Sequence, residues 1–148
     1  MKVGGNPSKM DSSFSREERH QISANLENGA VVRSLVGDFS QKVGLSESQG
    51  SNLQLAVSEA FNNAVEHGFG LDNKQKVILR LKATSKKFSA EIEDSGRGLD
   101  FHGFGFWSCF SLSGERGRGM QIIAALTDGI ELENLFPSGT RIVLTKWL

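Results

Sequence analysis

The chain has 148 residues, a length that fits one domain with its own hydrophobic core. Its 17 Lys and Arg residues balance its 17 Asp and Glu residues, so no net charge attracts it to nucleic acid or to an anionic membrane. A single cysteine, Cys109, excludes an intrachain disulfide framework and fits a reducing compartment. We therefore expect a cytoplasmic protein that does not bind nucleic acid directly and does not enter a membrane.

The N-terminal region divides into a tail and the start of a domain. Residues 1–16 are rich in Gly, Ser and Lys and lack the apolar centre of a signal peptide, so we predict a flexible tail. A single domain is predicted over residues 17–148. Within residues 19–26, apolar side chains such as Ile22 and Ala24 alternate with polar ones, which predicts a half-buried strand.

Two amphipathic helices are predicted next. Apolar residues recur at spacings of three and four from Glu27 to Val43, and Gly44 follows as a C-terminal stop. Ser46 and Gln49 resemble a capping box, in which each residue bonds the other's backbone amide. The helical pattern then continues over residues 52–67 and is ended by a glycine.

The second half of the chain is predicted to alternate strands, a long loop and a helix. In order, these elements are a hairpin of strands 76–83 and 88–94, a loop over 99–113, a helix from Gly117 or Gly119 through Ala125, and a closing hairpin of strands 129–133 and 140–147. Helices grouped against a mainly antiparallel sheet predict an α+β fold, a two-layer sandwich.

The long loop is predicted to be a lid. It has no hydrophobic period, and structureless loops of this length are uncommon unless they are functional. Five aromatic residues lie in its segment from Phe101 to Phe110. These aromatic residues either pack on the domain when the lid closes or form a docking surface for a partner.

One polar pair lies at the edge of the second predicted helix. An apolar stripe runs along this helix, formed by Leu53, Ala56, Val57, Ala60, Phe61 and Ala64. At about 100° per residue, Glu59 and Asn63 lie together along the border of the stripe, whereas Asn62 points almost opposite it. Helix geometry therefore selects Asn63 as the inward-facing amide, although such a pair is also common on solvated helix faces.

Two glycine-rich segments flank the predicted lid. Asp94 ends a predicted strand and is able to accept a hydrogen bond from an exocyclic amine, while Gly96 and Gly98 let a flat base approach the backbone. The segment from Gly114 to Met120 leads into a helix, whose first amides favour phosphate oxygens. Taken singly, the first segment fits a plain turn as well as it fits a binding site. The second fits a flexible loop as well as it fits a binding site. Neither a P-loop nor a dinucleotide-binding glycine motif is present.

In combination, the three segments resemble the N, G1 and G2 boxes of the GHKL ATPase superfamily, which has the Bergerat fold. The segments most similar to anti-sigma-factor serine kinases of the RsbW/SpoIIAB type are VSEAFNNAVEHG (57–68), IEDSGRG (92–98), ERGRGM (115–120) and GTRIVL (139–144). The resemblance covers residues 17–148 and implies that ATP and Mg²⁺ are bound.

Matched residue by residue, the resemblance implies a role for each box. Glu59 would be the general base that takes the proton from a serine hydroxyl, Asn63 would hold Mg²⁺, and Arg116 would act as a lid arginine near the γ-phosphate. The other ATP-binding positions would be Asp94 and Thr140 at the adenine, Gly96 and Gly98 in the base pocket, and Gly117, Arg118, Gly119 and Met120 around the phosphates. Apart from the resemblance, His67 at the end of its helix has no second ligand at metal spacing, so it either caps the helix or forms a polar wall of the pocket.

The resemblance implies a serine/threonine protein kinase that is also an anti-sigma factor. Such a protein binds a sigma factor, phosphorylates an anti-anti-sigma protein of the STAS type on serine, and forms a homodimer. An alternative is a non-catalytic module in a partner-switching pathway, in which ATP orders the lid for protein binding. A third hypothesis, the ATP-binding half of a histidine kinase, would require a helix bearing a phosphorylatable histidine.

Overall fold

A computed structural model describes residues 15–68, 75–95, 116–135 and 138–148 of the chain. In these residues, three helices lie on one face of a five-stranded sheet. The elements are β1 (Arg16–Ser23), a 3-10 turn (Leu26–Asn28), α1 (Gly29–Lys42), α2 (Glu47–Gly68), β2 (Lys76–Ala83), β3 (Lys87–Asp94), α3 (Arg116–Leu126), β4 (Gly129–Asn134) and β5 (Thr140–Trp147). The predicted lid lies outside the described residues.

The sheet confirms the predicted α+β sandwich. Its strand order is β1-β2-β3-β5-β4, and every neighbouring pair is antiparallel. In β2, the buried side chains Val77, Leu79 and Leu81 alternate with partly exposed ones. Because successive side chains of a strand point to opposite faces, this alternation makes one face of the sheet apolar, and the helices cover that face.

The first strand begins earlier than its sequence pattern predicts. The prediction of residues 19–26 is wrong by three residues at each end, since β1 runs from Arg16 to Ser23 and pairs with β2 along its whole length. The chain then turns at Asn25, whose side-chain oxygen accepts a hydrogen bond of 2.9 Å from the Glu27 amide. This local cap competes with continued strand pairing and starts the 3-10 turn.

The second helix begins with the predicted capping box. The Ser46 amide donates to the Gln49 side chain at 3.0 Å, and the Gln49 amide donates to the Ser46 hydroxyl at 3.1 Å. These reciprocal bonds satisfy amides that have no partner within the helix, so α2 begins at Glu47, ahead of its apolar pattern. All six residues of the predicted apolar stripe are buried, and α2 contacts α1, α3, β3 and β5.

The ends of β3 and β5 meet at a glycine. Asp94, the last residue of β3, pairs with Thr140, the first residue of β5. Gly139 precedes Thr140 with a φ of 112°, and a Cβ atom placed on it would collide with the carbonyl oxygen of Asp94. Both the positive φ and the close backbone approach require glycine at this position.

We expect Gly139→Ala to lower the free energy of unfolding by about 2 kcal/mol or more, because the alanine is strained in this conformation and its methyl group displaces the Asp94 backbone. Urea denaturation measures the change. Gly129→Ala in β4 is the matched control, since its Cβ would lie 3.7 Å from the Thr145 Cβ, an ordinary contact. Equal losses in the two variants would contradict the assigned role of Gly139.

Candidate functional site

The polar pair of α2 lies on the side of the helix that faces α3. Asn63 is 5% exposed and Glu59 is partly buried, so the inward-facing amide is Asn63. Asn62 is also partly buried, because α1 covers its side of α2. The Asn62 side-chain oxygen lies 3.3 Å from the position of a Cβ atom on Gly29. Asn62 thus belongs to the contact between α1 and α2 and is separate from the polar pair.

A glycine in the first turns of α3 packs directly on this pair. A Cβ atom placed on Gly119 would lie 3.0 Å from the Glu59 Oε2 atom, and 3.6 and 3.7 Å from the Asn63 Oδ1 and Nδ2 atoms. A contact of 3.0 Å is too tight for a side chain unless Glu59 moves. The missing side chain of Gly119 therefore allows the start of α3 to approach the carboxylate and the amide together.

The next residue, Met120, also contacts the pair. Its side chain is 4% exposed, and its sulfur accepts a hydrogen bond of 3.3 Å from the Asn63 Nδ2 atom. The two residues are 57 positions apart in the chain. Consequently the N box and the G2 box, which the sequence places on different helices, form one cluster of Glu59, Asn63, Gly119 and Met120, in which Glu59 is partly buried and the other three residues are buried.

A second cluster lies at the paired ends of β3 and β5. Asp94 is 4% exposed and Thr140 is 2% exposed. The Thr140 hydroxyl oxygen is buried and has no hydrogen-bond partner among the described residues. Buried polar atoms are nearly always paired with protein, water or ligand, so this hydroxyl fits a site where a polar ligand such as adenine is bound. The helix that carries Glu59 and Asn63, α2, also contacts both of these strands.

For several predicted site residues the structure describes no side-chain position. Gly96 and Gly98 lie outside the described residues. His67 is in the last turn of α2, and Arg116, Gly117 and Arg118 form the start of α3, but only the backbone of these four residues is described. Their proposed contacts with nucleotide stay predictions.

No cluster of metal-binding side chains is found in the described part of the chain. Groups of three or more His, Cys, Asp and Glu residues placed to hold a metal ion are absent there. A site built on Asn63 does not need such a group, because Mg²⁺ is often held by one or two protein oxygens together with nucleotide phosphates and water. Within the same residues, no helix combines the length and the apolar character that a membrane span requires.

Two contacts were missed by sequence reasoning. Gly139 lies between the strands of the predicted closing hairpin, and its packing on the Asp94 backbone was not foreseen. Met120 was predicted to wrap phosphates, and its side-chain bond to Asn63 was not foreseen. The position of Gly139 directly before Thr140 is the one sequence signal for the first contact, because glycine often marks a close backbone approach. The chain offers no comparable signal for the second.

Comparison with known proteins identifies the family of the chain. A family model described as a histidine kinase-like ATPase domain matches residues 22–146. The chain belongs to this family. The GHKL ATPase superfamily suggested by the three segments is therefore confirmed at the level of the family.

Within this family, the chain is similar to serine-protein kinases and anti-sigma factors. The chain is 27% identical over 125 residues to the serine-protein kinase RsbW of Bacillus licheniformis, covering 80% of this chain and 77% of the relative. It is 25% identical over 131 residues to an anti-sigma F factor of Clostridium perfringens, covering 86% of this chain and 94% of the relative. The predicted resemblance to anti-sigma-factor serine kinases is thus confirmed as a similarity.

Solved structures support the fold. The RsbU and RsbW domains of a Mycobacterium tuberculosis protein match with a TM-score of 0.64 at 20% identity, over 88% of this chain and 32% of that one. A histidine kinase domain from Erythrobacter litoralis matches with a TM-score of 0.54 at 20% identity, over 84% of this chain and 61% of that one. At this identity the two matches show a shared fold and nothing further.

We expect Gly119→Ala to fold but to bind Mg-ATP at least about tenfold more weakly, because its methyl group would lie 3.0 Å from the Glu59 carboxylate and would force the start of α3, which is predicted to bind the phosphates, away from α2. Alanine gains up to about 1 kcal/mol of helix propensity over glycine, which offsets the steric cost to stability. Isothermal titration gives the affinity, and urea denaturation gives the stability. Gly50→Ala is the control, since its Cβ would lie 3.3 Å from the Ser40 Cβ in a contact with no site residue. Unchanged Mg-ATP affinity in Gly119→Ala would contradict the assignment of the Gly119–Glu59 contact to the nucleotide site.

Proposed function

We propose that this chain is an ATP-dependent serine kinase and anti-sigma factor, which binds a sigma factor and phosphorylates an anti-anti-sigma protein of the STAS type on serine. The observation that carries the proposal is the cluster in which Glu59 and Asn63 lie together against Gly119. A carboxylate beside an amide is a pair suited to moving a proton and holding a cation within one pocket. The names of the curated relatives, serine-protein kinase and anti-sigma F factor, agree with it.

In this proposal Glu59 is the general base. Its carboxylate accepts the proton of the substrate serine hydroxyl as the serine oxygen bonds to the γ-phosphorus, and the bond from that phosphorus to the bridging oxygen breaks. Asn63 holds Mg²⁺, which neutralises charge on the phosphates when it is bound. Arg116 stabilises the charge that develops on the transferred group. The products are phosphoserine, ADP and the proton held by Glu59.

The remaining residues bind and orient the nucleotide. Asp94 accepts a hydrogen bond from the adenine amino group, and the buried Thr140 hydroxyl supplies a second polar contact there. Gly117 to Met120 wrap the phosphates at the start of α3, where the amides of the first turn have no partner within the helix and donate to phosphate oxygens. We assign His67 to the pocket wall and Arg118 to the group around the phosphates.

The first test substitutes Glu59 with Gln. We expect phosphate transfer to serine to fall by about 10²-fold or more, because the amide cannot accept the proton, while ATP binding is nearly unchanged. Mass spectrometry of the anti-anti-sigma partner measures transfer, and calorimetry measures ATP affinity. Glu66→Gln, an exposed position on the same helix, should retain transfer.

Two outcomes of this test would overturn parts of the proposal. Loss of ATP binding in Glu59→Gln would refute its role as a base. If the wild type yields no phosphoserine with any partner but binds a partner more tightly with ATP than without, the chain is an ATP-gated binding module and the kinase assignment fails.

The second test substitutes Asp94 with Asn. Wild type should gain about 2.7 kcal/mol of stability when ATP is present at a hundred times its dissociation constant, and Asp94→Asn should lose this gain because the amide nitrogen faces the adenine amine donor. Differential scanning fluorimetry with and without ATP measures it. Asp128→Asn is the control, since Asp128 is exposed and accepts from the Trp147 amide at 2.8 Å, so its nucleotide response should persist. No shift in wild type would exclude ATP as the ligand.

A further inference from the structure

The Met120 side chain has a contact that the proposed transfer reaction does not use. Its sulfur lies 3.3 Å from the Asn63 Nδ2 atom, and both side chains are at most 5% exposed. Methionine is usually a flexible filler of apolar gaps, and it needs no polar partner. Here it lies beside the buried amide that is proposed to hold Mg²⁺, so its chemistry bears on how that amide is oriented.

A thioether is selective between the two orientations of an amide. Its sulfur is a weak acceptor and has no proton to donate, so it favours the NH₂ group and repels the carbonyl oxygen. At this burial, bulk water does not replace the bond, and an amide donor without an acceptor is costly to bury. A serine or threonine at the same position would accept either orientation, whereas methionine favours one.

We propose that Met120 is a positioning residue, whose sulfur fixes the rotation of the Asn63 amide so that its carbonyl oxygen is the atom presented to Mg²⁺. This inference rests on the proposed function, in which Asn63 holds the cation. It also gives the pair Gly119–Met120 two complementary tasks. Gly119 leaves room for the polar pair, and Met120 sets the direction of one member of it.

A second consequence concerns the phosphates. Met120 lies in the same helical turns as the amides proposed to bind phosphate, so the sulfur contact joins that segment to Asn63 on α2. The contact would therefore hold the metal ligand Asn63 and the phosphate-binding amides of α3 at a fixed position relative to each other. Preorganisation of this kind should raise the affinity for the metal-nucleotide complex and should change the affinity for nucleotide alone very little.

The test substitutes Met120 with Leu, which removes the acceptor and nearly keeps the volume. We expect the ratio of ATP affinities with Mg²⁺ and with EDTA to fall about threefold to tenfold, the range that one neutral hydrogen bond contributes. Affinity in EDTA should stay within a factor of two of wild type by the same reasoning. The control is Ile123→Leu, a volume-conserving change on the same buried face of α3, which should leave both affinities unchanged.

A second measurement uses the protein without metal or nucleotide. The Asn63 side-chain amide signals, assigned by their loss in Asn63→Ala, should move in Met120→Leu and stay in place in Ile123→Leu. In a double-mutant cycle of unfolding, Met120→Leu and Asn63→Ala should be non-additive, since each removes the same bond. Additive effects with unmoved amide signals would overturn the contact.

The two hypotheses fail in different ways. Binding is measured here without transfer, so a chain that binds Mg-ATP but transfers no phosphate refutes the kinase assignment and still decides the role of Met120. Equal ATP affinity of wild type with Mg²⁺ and with EDTA would overturn the positioning role, because no cation would then depend on Asn63. An unchanged affinity ratio in Met120→Leu would overturn it as well.

Discussion

The described site depends on the close approach of α3 to α2, which is possible because residue 119 has no side chain. A Cβ atom there would lie 3.0 Å from the Glu59 carboxylate, so any larger residue has to push the helices apart or rotate Glu59 away. With glycine, the start of α3 reaches Glu59 and Asn63 together, and the sulfur of Met120 comes within 3.3 Å of the Asn63 amide. The absence of a side chain at Gly119 thus brings two boxes of the sequence together in one cluster.

A second constraint lies in the sheet, where a glycine again permits an approach that a Cβ atom would prevent. Gly139 allows the start of β5 to lie against the carbonyl of Asp94, so that Asp94 and Thr140 are paired and buried at adjacent strand ends. The Thr140 hydroxyl, buried without a partner in the described chain, makes this strand end chemically distinct from the apolar sheet face beside it. In both places a glycine allows a close approach, of Gly119 to the Glu59 side chain and of Gly139 to the Asp94 backbone.

Local features were predicted well where neighbouring residues decide them. The reciprocal bonds of Ser46 and Gln49 involve residues three apart, and the alternation along β2 follows from the period of a strand. Helix periodicity also identified Asn63 as the buried amide. The bounds of β1 were wrong because its pairing partner, β2, lies more than fifty residues away and fixes the strand along its whole length. The turn at Asn25 then ends it.

By itself, the sequence determined the family, the α+β fold and the placement of Glu59 and Asn63 on one edge of α2. The reason is that motif order and helical periodicity depend only on the order and spacing of residues along the chain. Tertiary structure alone decided what that edge meets. The contact of Gly119 with Glu59, the bond from Asn63 to Met120 and the packing of Gly139 on Asp94 each join residues far apart in sequence. Such contacts depend on how closely two elements pack, and no local pattern encodes that distance.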